Sequence, residues 1–114
     1  MRSEHSIQNE ILRVFGSRSD MRIWRSNCGV ATMGFGPDAR KIRFGIPGQA
    51  DVSGIILPTG QRMEIEVKKH DGRQSKDQKA FQQMIERFGG IYILARSVED
   101  VHQALEQQIN GYQR

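Results

Sequence analysis

Met63-Glu64-Ile65-Glu66-Val67-Lys68 alternates apolar and charged residues without a break, and no other stretch limits the possible folds of the chain so tightly. Side chains along a strand point to opposite faces with period two. Met63, Ile65 and Val67 therefore share one face, and Glu64, Glu66 and Lys68 share the other. This run, 62–69, follows a second strand-like run, 51–57, across Pro58-Thr59-Gly60, which reads as a hairpin turn. The hairpin-length gap places Asp51, Glu66 and Lys68 where two carboxylates and an ammonium could meet at one point. Such a trio can hold a hard divalent cation and split phosphodiesters with a metal-activated water.

The chain has 114 residues, the length of one domain with a real but modest core. At 37% hydrophobic and 26% charged residues it reads as soluble and globular. No segment approaches the ~20 apolar residues that crossing a bilayer takes. Met1-Arg2-Ser3-Glu4-His5 lacks the apolar region of a signal peptide, so a cytoplasmic protein without a membrane partner is expected. Cys28 is the single cysteine, which excludes an internal disulfide and any multi-cysteine zinc site. A formal net charge of +4 suits a polyanionic partner.

Ile7, Ile11, Val14 and Phe15 recur at helical spacing and predict a first helix over 4–15, closed by Gly16. Residues 21–26 read as a strand. From Gly29 to Gly48 the density of glycine and proline predicts loops, with at most a short strand at 42–44. Ser75-Lys76-Asp77-Gln78 fits a capping box, with Ser75 as N-cap and Gln78 at the third position. The helix that follows carries Phe81, Met84, Ile85 and Phe88 on one stripe and stops at Gly89-Gly90. Residues 91–95 are almost wholly apolar, as in a central buried strand. Ser97 to Asp100 opens a last helix bearing Val98, Val101, Leu105 and Ile109. The order α-β-loop-β-β-α-β-α predicts an α/β fold, a mixed central sheet flanked by helices.

Gly45-Ile46-Pro47-Gly48-Gln49-Ala50-Asp51, then Glu66-Val67-Lys68, then Ser75 to Gln78 ahead of Gly89-Gly90-Ile91-Tyr92-Ile93-Leu94 resembles the PD-(D/E)xK nuclease superfamily. Within it the likeness is to the virus-type replication-repair nuclease domain, VRR-NUC. It covers most of the chain, from Glu10 to about Ala95, and departs from the pattern in that Pro47 does not directly precede Asp51. The resemblance implies a single restriction-endonuclease-like domain over residues 1–114. It implies that Asp51 and Glu66 ligate Mg²⁺ or Mn²⁺, with the backbone carbonyl of Val67 as a third oxygen. Lys68 would orient the water or the scissile phosphate, or act as a base if its pKa were depressed.

Two residues carry double readings. Glu10, at the edge of the first helix's apolar stripe, is either a fourth metal-binding residue, as in the resembled family, or a boundary glutamate. Gln78 either completes the capping box or touches the water or phosphate beside Lys68. Glu64 reads more simply as an exposed strand residue than as a ligand. Arg40, Lys41 and Arg43 before the motif, and Lys69, Arg73, Lys76 and Lys79 after it, flank the candidate site and suit phosphate contacts; otherwise they form a solvated charged face.

The resemblance thus implies a metal-dependent DNA endonuclease. It would act as a homodimer on branched, Holliday-junction-like DNA, in a bacterial or phage-infected cell. The alternatives are a non-catalytic nucleic-acid-binding module that retains the fold, and an adaptor whose Glu-x-Lys is accidental. The last predicts Asp51 and Glu66 far apart.

Overall fold

The structure, a computed structural model, describes residues 2–112, with side chains through residue 108. Helix α1 (Glu4–Gly16) begins where the Ser3 hydroxyl accepts the Ser6 N–H at 3.1 Å, and it buries Ile7, Ile11 and Phe15. Strands β1 (Met21–Arg25), β2 (Gly29–Met33), β3 (Arg40–Phe44), β4 (Val52–Ile56) and β5 (Gln61–Val67) follow. Helix α2 (Lys76–Arg87), strand β6 (Ile91–Ala95) and helix α3 (Val98–Tyr112) complete the chain. Among the described residues no helix is long and apolar enough to cross a membrane.

Four strands form one mixed sheet in the order β1-β4-β5-β6. The β4–β5 hairpin and β1 are antiparallel neighbours, whereas α2 returns the chain so that β6 runs parallel to β5. Ile7, Ile11 and Phe15 of α1 and Val101 and Leu105 of α3 meet Val52, Met63, Ile65, Val67, Ile91 and Ile93 in the main core. Burying each such side chain contributes about 1.5–3 kcal/mol. Phe81 and Ile85 of α2 form a second, smaller cluster with Ala50, flanked by Met84 and Tyr92. Since Tyr92 alternates with Ile91 and Ile93, α2 lies across the sheet from α1 and α3.

The fold is the expected mixed α/β arrangement, with differences in detail. Gly29 to Gly48 is not mainly loop. It holds an antiparallel ribbon of β2 and β3, registered from Gly29 opposite Phe44 to Met33 opposite Arg40, apart from the main sheet. Every residue of the ribbon except Ala31 is exposed. No buried face imprints an apolar alternation on these strands, and the glycines around them mask the rest. Strand β6 lies at the sheet's edge, and helices on both faces explain its apolar run. Phe88 caps α2 and is 76% exposed, off the apolar stripe. Ile109 lies outside the described side chains.

Glu64 is also not an exposed strand residue. With helices over both faces of the sheet, the charged face of β5 is interior, and Glu64 and Glu66 are 1% and 2% exposed. Two buried carboxylates on one strand are costly unless something compensates them.

Candidate active site

The β4–β5 hairpin builds the centre of the site. Val52 stands opposite Ile65, so the register carried one residue further sets Asp51 opposite Glu66. Residues so opposed have Cβ atoms about 4.5–5.5 Å apart. The Val67 N–H donates to Asp51 Oδ2 at 2.8 Å, fixing that carboxylate against the end of β5. Ser26 adds a second hold: its N–H donates to the Asp51 carbonyl at 2.8 Å, and its hydroxyl meets that of Ser53 at 2.7 Å. Asp51 and Glu66 thus stand together and not far apart.

Burial pushes the Glu66 carboxyl up from its ordinary 4.5 to about 9. A hydrogen bond with Asp51 and that residue's negative charge act in the same direction, as does Glu4, against the opposing pull of Lys68. Glu66 Oε1 is buried with no hydrogen-bond partner among the described residues. An orphaned carboxylate oxygen beside a second carboxylate is a hard, anionic donor set of the kind that Mg²⁺ or Mn²⁺ takes. Asp51, Glu66 and the Val67 carbonyl therefore fit such an ion in donor chemistry. Among the described residues no group of three His, Cys, Asp or Glu side chains could hold a metal. Much of the coordination shell would thus be water and substrate oxygen, as Mg²⁺ commonly keeps it.

Lys68 follows Glu66 on the same strand face and is half-buried, its Cβ and Cδ lying against Gly72. Ion pairs among the described residues join Arg2 to Glu10, Arg18 to Asp20, Arg62 to Glu64 and Lys69 to Asp71, leaving Lys68 without one. No carboxylate among the described residues therefore holds its ammonium.

The α1 carboxylate at this site is that of Glu4. Glu4 Oε2 accepts the Lys69 N–H at 3.2 Å, and its charge acts on Glu66. Glu10 instead pairs with Arg2 at 2.5 Å. It lies about 9 Å further along the helix at the α-helical rise, and α1 covers the sheet face opposite to Glu66, so only its first turn reaches round the end of β5. A signal for Glu4 was present in the sequence: it precedes Ile7 by three positions and Ile11 by seven, on the buried stripe.

Gln78 makes the capping box in full. Its Oε1 accepts the Ser75 N–H at 2.8 Å, and its own N–H donates to the Ser75 hydroxyl at 3.1 Å. The same side chain lines a cleft of roughly 280 Å³ with Cys28, Arg43, Phe44, Pro47 and Ser75, between the ribbon's base and the start of α2. Partial desolvation pushes the Cys28 thiol up, although the residue as a whole is exposed, and negative charge from Asp51, Glu66 and Glu64 acts in the same direction. Glu64 keeps one oxygen on Arg62 at 3.2 Å and has the other buried without a partner among the described residues.

All seven flanking cations are exposed. Arg40, Lys41 and Arg43 lie on β3, Lys69 and Arg73 on the β5–α2 connection, and Lys76 and Lys79 on the first turns of α2. A larger apolar cavity of about 390 Å³ lies by Met21, Ile56, Leu57 and Leu105, at the other end of the hairpin. It holds none of these groups, so chemistry and not cavity size locates the site.

Asp51→Asn is expected to raise the melting temperature in metal-free buffer by several degrees, on the order of 1 kcal/mol. The amide oxygen can keep the Val67 N–H while the like charge is removed. A melting temperature that stayed level or fell would count against two carboxylates competing for one place.

Comparison with models of protein families, with curated proteins and with solved structures found no match to this chain.

Proposed function

We propose that the protein is a Mg²⁺- or Mn²⁺-dependent endonuclease that hydrolyses DNA phosphodiesters, of the VRR-NUC kind within the PD-(D/E)xK superfamily. The observation that carries this reading is the closeness of Asp51 to Glu66 at the end of the hairpin, with a buried Glu66 oxygen that has no partner among the described residues and a lysine next along the same face. A divalent cation bound there would lower the pKa of a water and offset charge on the phosphate. Asp51 and Glu66 would hold the ion, and the Val67 N–H, donating to Asp51 Oδ2, keeps that carboxylate from swinging away. The Lys68 ammonium would favour charge developing on a phosphate oxygen, and with no ion pair among the described residues it is available for that role. Glu4, by accepting the Lys69 N–H, sets the direction in which the chain leaves Lys68. Hydrolysis then joins water's oxygen to phosphorus, breaks one ester bond and delivers a proton to the leaving oxygen.

Branched DNA and a homodimer follow from the resemblance alone. A two-fold pair of sites would match the symmetry of a four-way junction. The test is Mn²⁺-dependent cleavage of a labelled four-way junction beside a linear duplex of the same arms. Wild type is expected to cut the junction and Lys68→Ala to lose at least about 10³-fold in rate, with DNA affinity nearly unchanged. Binding without cutting by wild type would replace the reading with a non-catalytic nucleic-acid-binding module.

A further inference from the structure

The β2–β3 ribbon is the part of the molecule that the site does not explain. Paired residues of an antiparallel ladder share a face. The register therefore puts Lys41 and Arg43 with Thr32 and Val30 on one side, and Met33, Ile42, Phe44 and Ala31 with Arg40 on the other. Within the ribbon and its tip the cations are Arg40, Lys41 and Arg43, against the single acid Asp38. At the tip Phe35 is 95% exposed. It stands between Gly34 and Gly36, whose φ values of +88° and +63° are ones that glycine adopts without strain and that turn the chain sharply beneath it. Five-residue strands carry that ring about 17 Å from the ribbon's base, where Arg43 and Phe44 line the cleft beside Gln78.

An isolated two-stranded ribbon is only marginally stable in water. An aromatic ring held wholly in solvent on such a ribbon has no role in this chain's own core. A ribbon of this width fits a DNA groove, phosphates complement its cationic side, and an apolar tip can enter between or stack on bases.

We infer that the ribbon is a DNA-engaging arm, on which Lys41 and Arg43 track the phosphate backbone while Phe35 stacks on a base left unstacked at a branch point. The inference rests on the nucleic-acid part of the proposed function and is independent of the hydrolytic chemistry. It supplies a residue-level source for selectivity towards branched DNA.

The experiment is equilibrium binding in metal-free buffer, where no cleavage occurs, to a four-way junction carrying 2-aminopurine at the branch and to a matching linear duplex. Wild type is expected to change the 2-aminopurine fluorescence and to prefer the junction. Phe35→Ala should abolish the fluorescence change and weaken junction binding about tenfold, the scale of one base–aromatic stack, with duplex binding unaltered. Phe35→Trp should retain both. Lys41→Ala with Arg43→Ala should weaken both substrates alike and reduce the salt dependence of binding. Retained junction preference and fluorescence response in Phe35→Ala would overturn the inference and leave the nuclease reading standing. Sedimentation showing that Phe35→Ala dissociates a dimer, without altered fluorescence, would overturn it in favour of a second copy on the tip. Failure of wild type to bind either DNA would overturn the arm and the nucleic-acid reading together. Binding with the expected Phe35 dependence but no cutting in Mn²⁺ would support the arm and remove the nuclease.

Discussion

Gly48→Ala is expected to lower the melting temperature by at least about 10 °C, corresponding to a loss of roughly 3 kcal/mol or more. Gly48 has a φ of +77°, and a methyl group added there would lie 2.2 Å from the Asp77 carbonyl oxygen, 2.3 Å from its carbon and 2.6 Å from the Gln78 nitrogen. These are backbone atoms of the first turn of α2, so no side-chain rotation relieves the contact. Either the loop before Asp51 retreats or the start of α2 moves, and the second choice breaks the Ser75–Gln78 capping box. Positive φ adds its own cost for any residue with a Cβ. Gly16→Ala is the control: nothing lies within 4 Å of the added methyl, and a shift within a few degrees is expected. A thermal melt of Gly48→Ala matching wild type would show that the loop and α2 are not closely packed. Since the same loop leads into Asp51, the proposed nuclease activity should also fall in this variant beyond its loss of folded protein.

Glu66→Gln is expected to do two opposite things. It should reduce the proposed metal-dependent cleavage by at least about 10³-fold, because an amide is a poor ligand for a hard cation and carries no charge. It should also stabilise the metal-free protein at high pH. The folded protein holds the Glu66 proton up to about pH 9, while the unfolded chain releases it near 4.5. The contribution of this group is therefore complete below about pH 4.5 and is lost progressively as pH rises to about 9. Glutamine does not titrate, so the melting temperature of Glu66→Gln minus that of wild type should grow across this interval. Its full extent is on the order of a few kcal/mol. Mn²⁺ should close the gap from the wild-type side, more strongly at pH 8 than at pH 6, because binding competes with the proton. A difference flat with pH would mean that Glu66 is ionised in the folded protein without metal.

These two positions differ in how far they were legible. Glu66 announced itself through strict alternation and its spacing from Asp51, and the hairpin turn between them made their meeting foreseeable. Gly48 looked like one breaker among many, and only the approach of α2 from elsewhere in the chain gives it a specific task. The burial of Glu64 was hidden for a related reason. Alternation separates two faces but does not say whether the charged one meets water, and the chain packed over that face in the assembled fold decided that it does not.

Helix α1 illustrates the limit most sharply. Its start, stripe and end follow from local spacing, and Ser3 capping is a local hydrogen bond. Which of its glutamates approaches Lys68 depends on how the helix axis lies against β5, which no local pattern encodes. Glu10 sat at the stripe's edge, but Glu4 lies at the end that overhangs the site. The ribbon was obscured because its strands belong to no core.

The sequence by itself determined the helices, the β4–β5 hairpin, the crossover to β6 and the placement of two carboxylates and a lysine at one strand end. Each rests on contacts within about twenty residues, where periodicity, caps and turns act. Tertiary structure alone decided which carboxylates lose water, which α1 glutamate reaches the site and that the glycine-rich segment stands out as a ribbon. Those outcomes depend on which surfaces cover one another across the whole chain, and desolvation, unlike periodicity, is a property of the assembled fold.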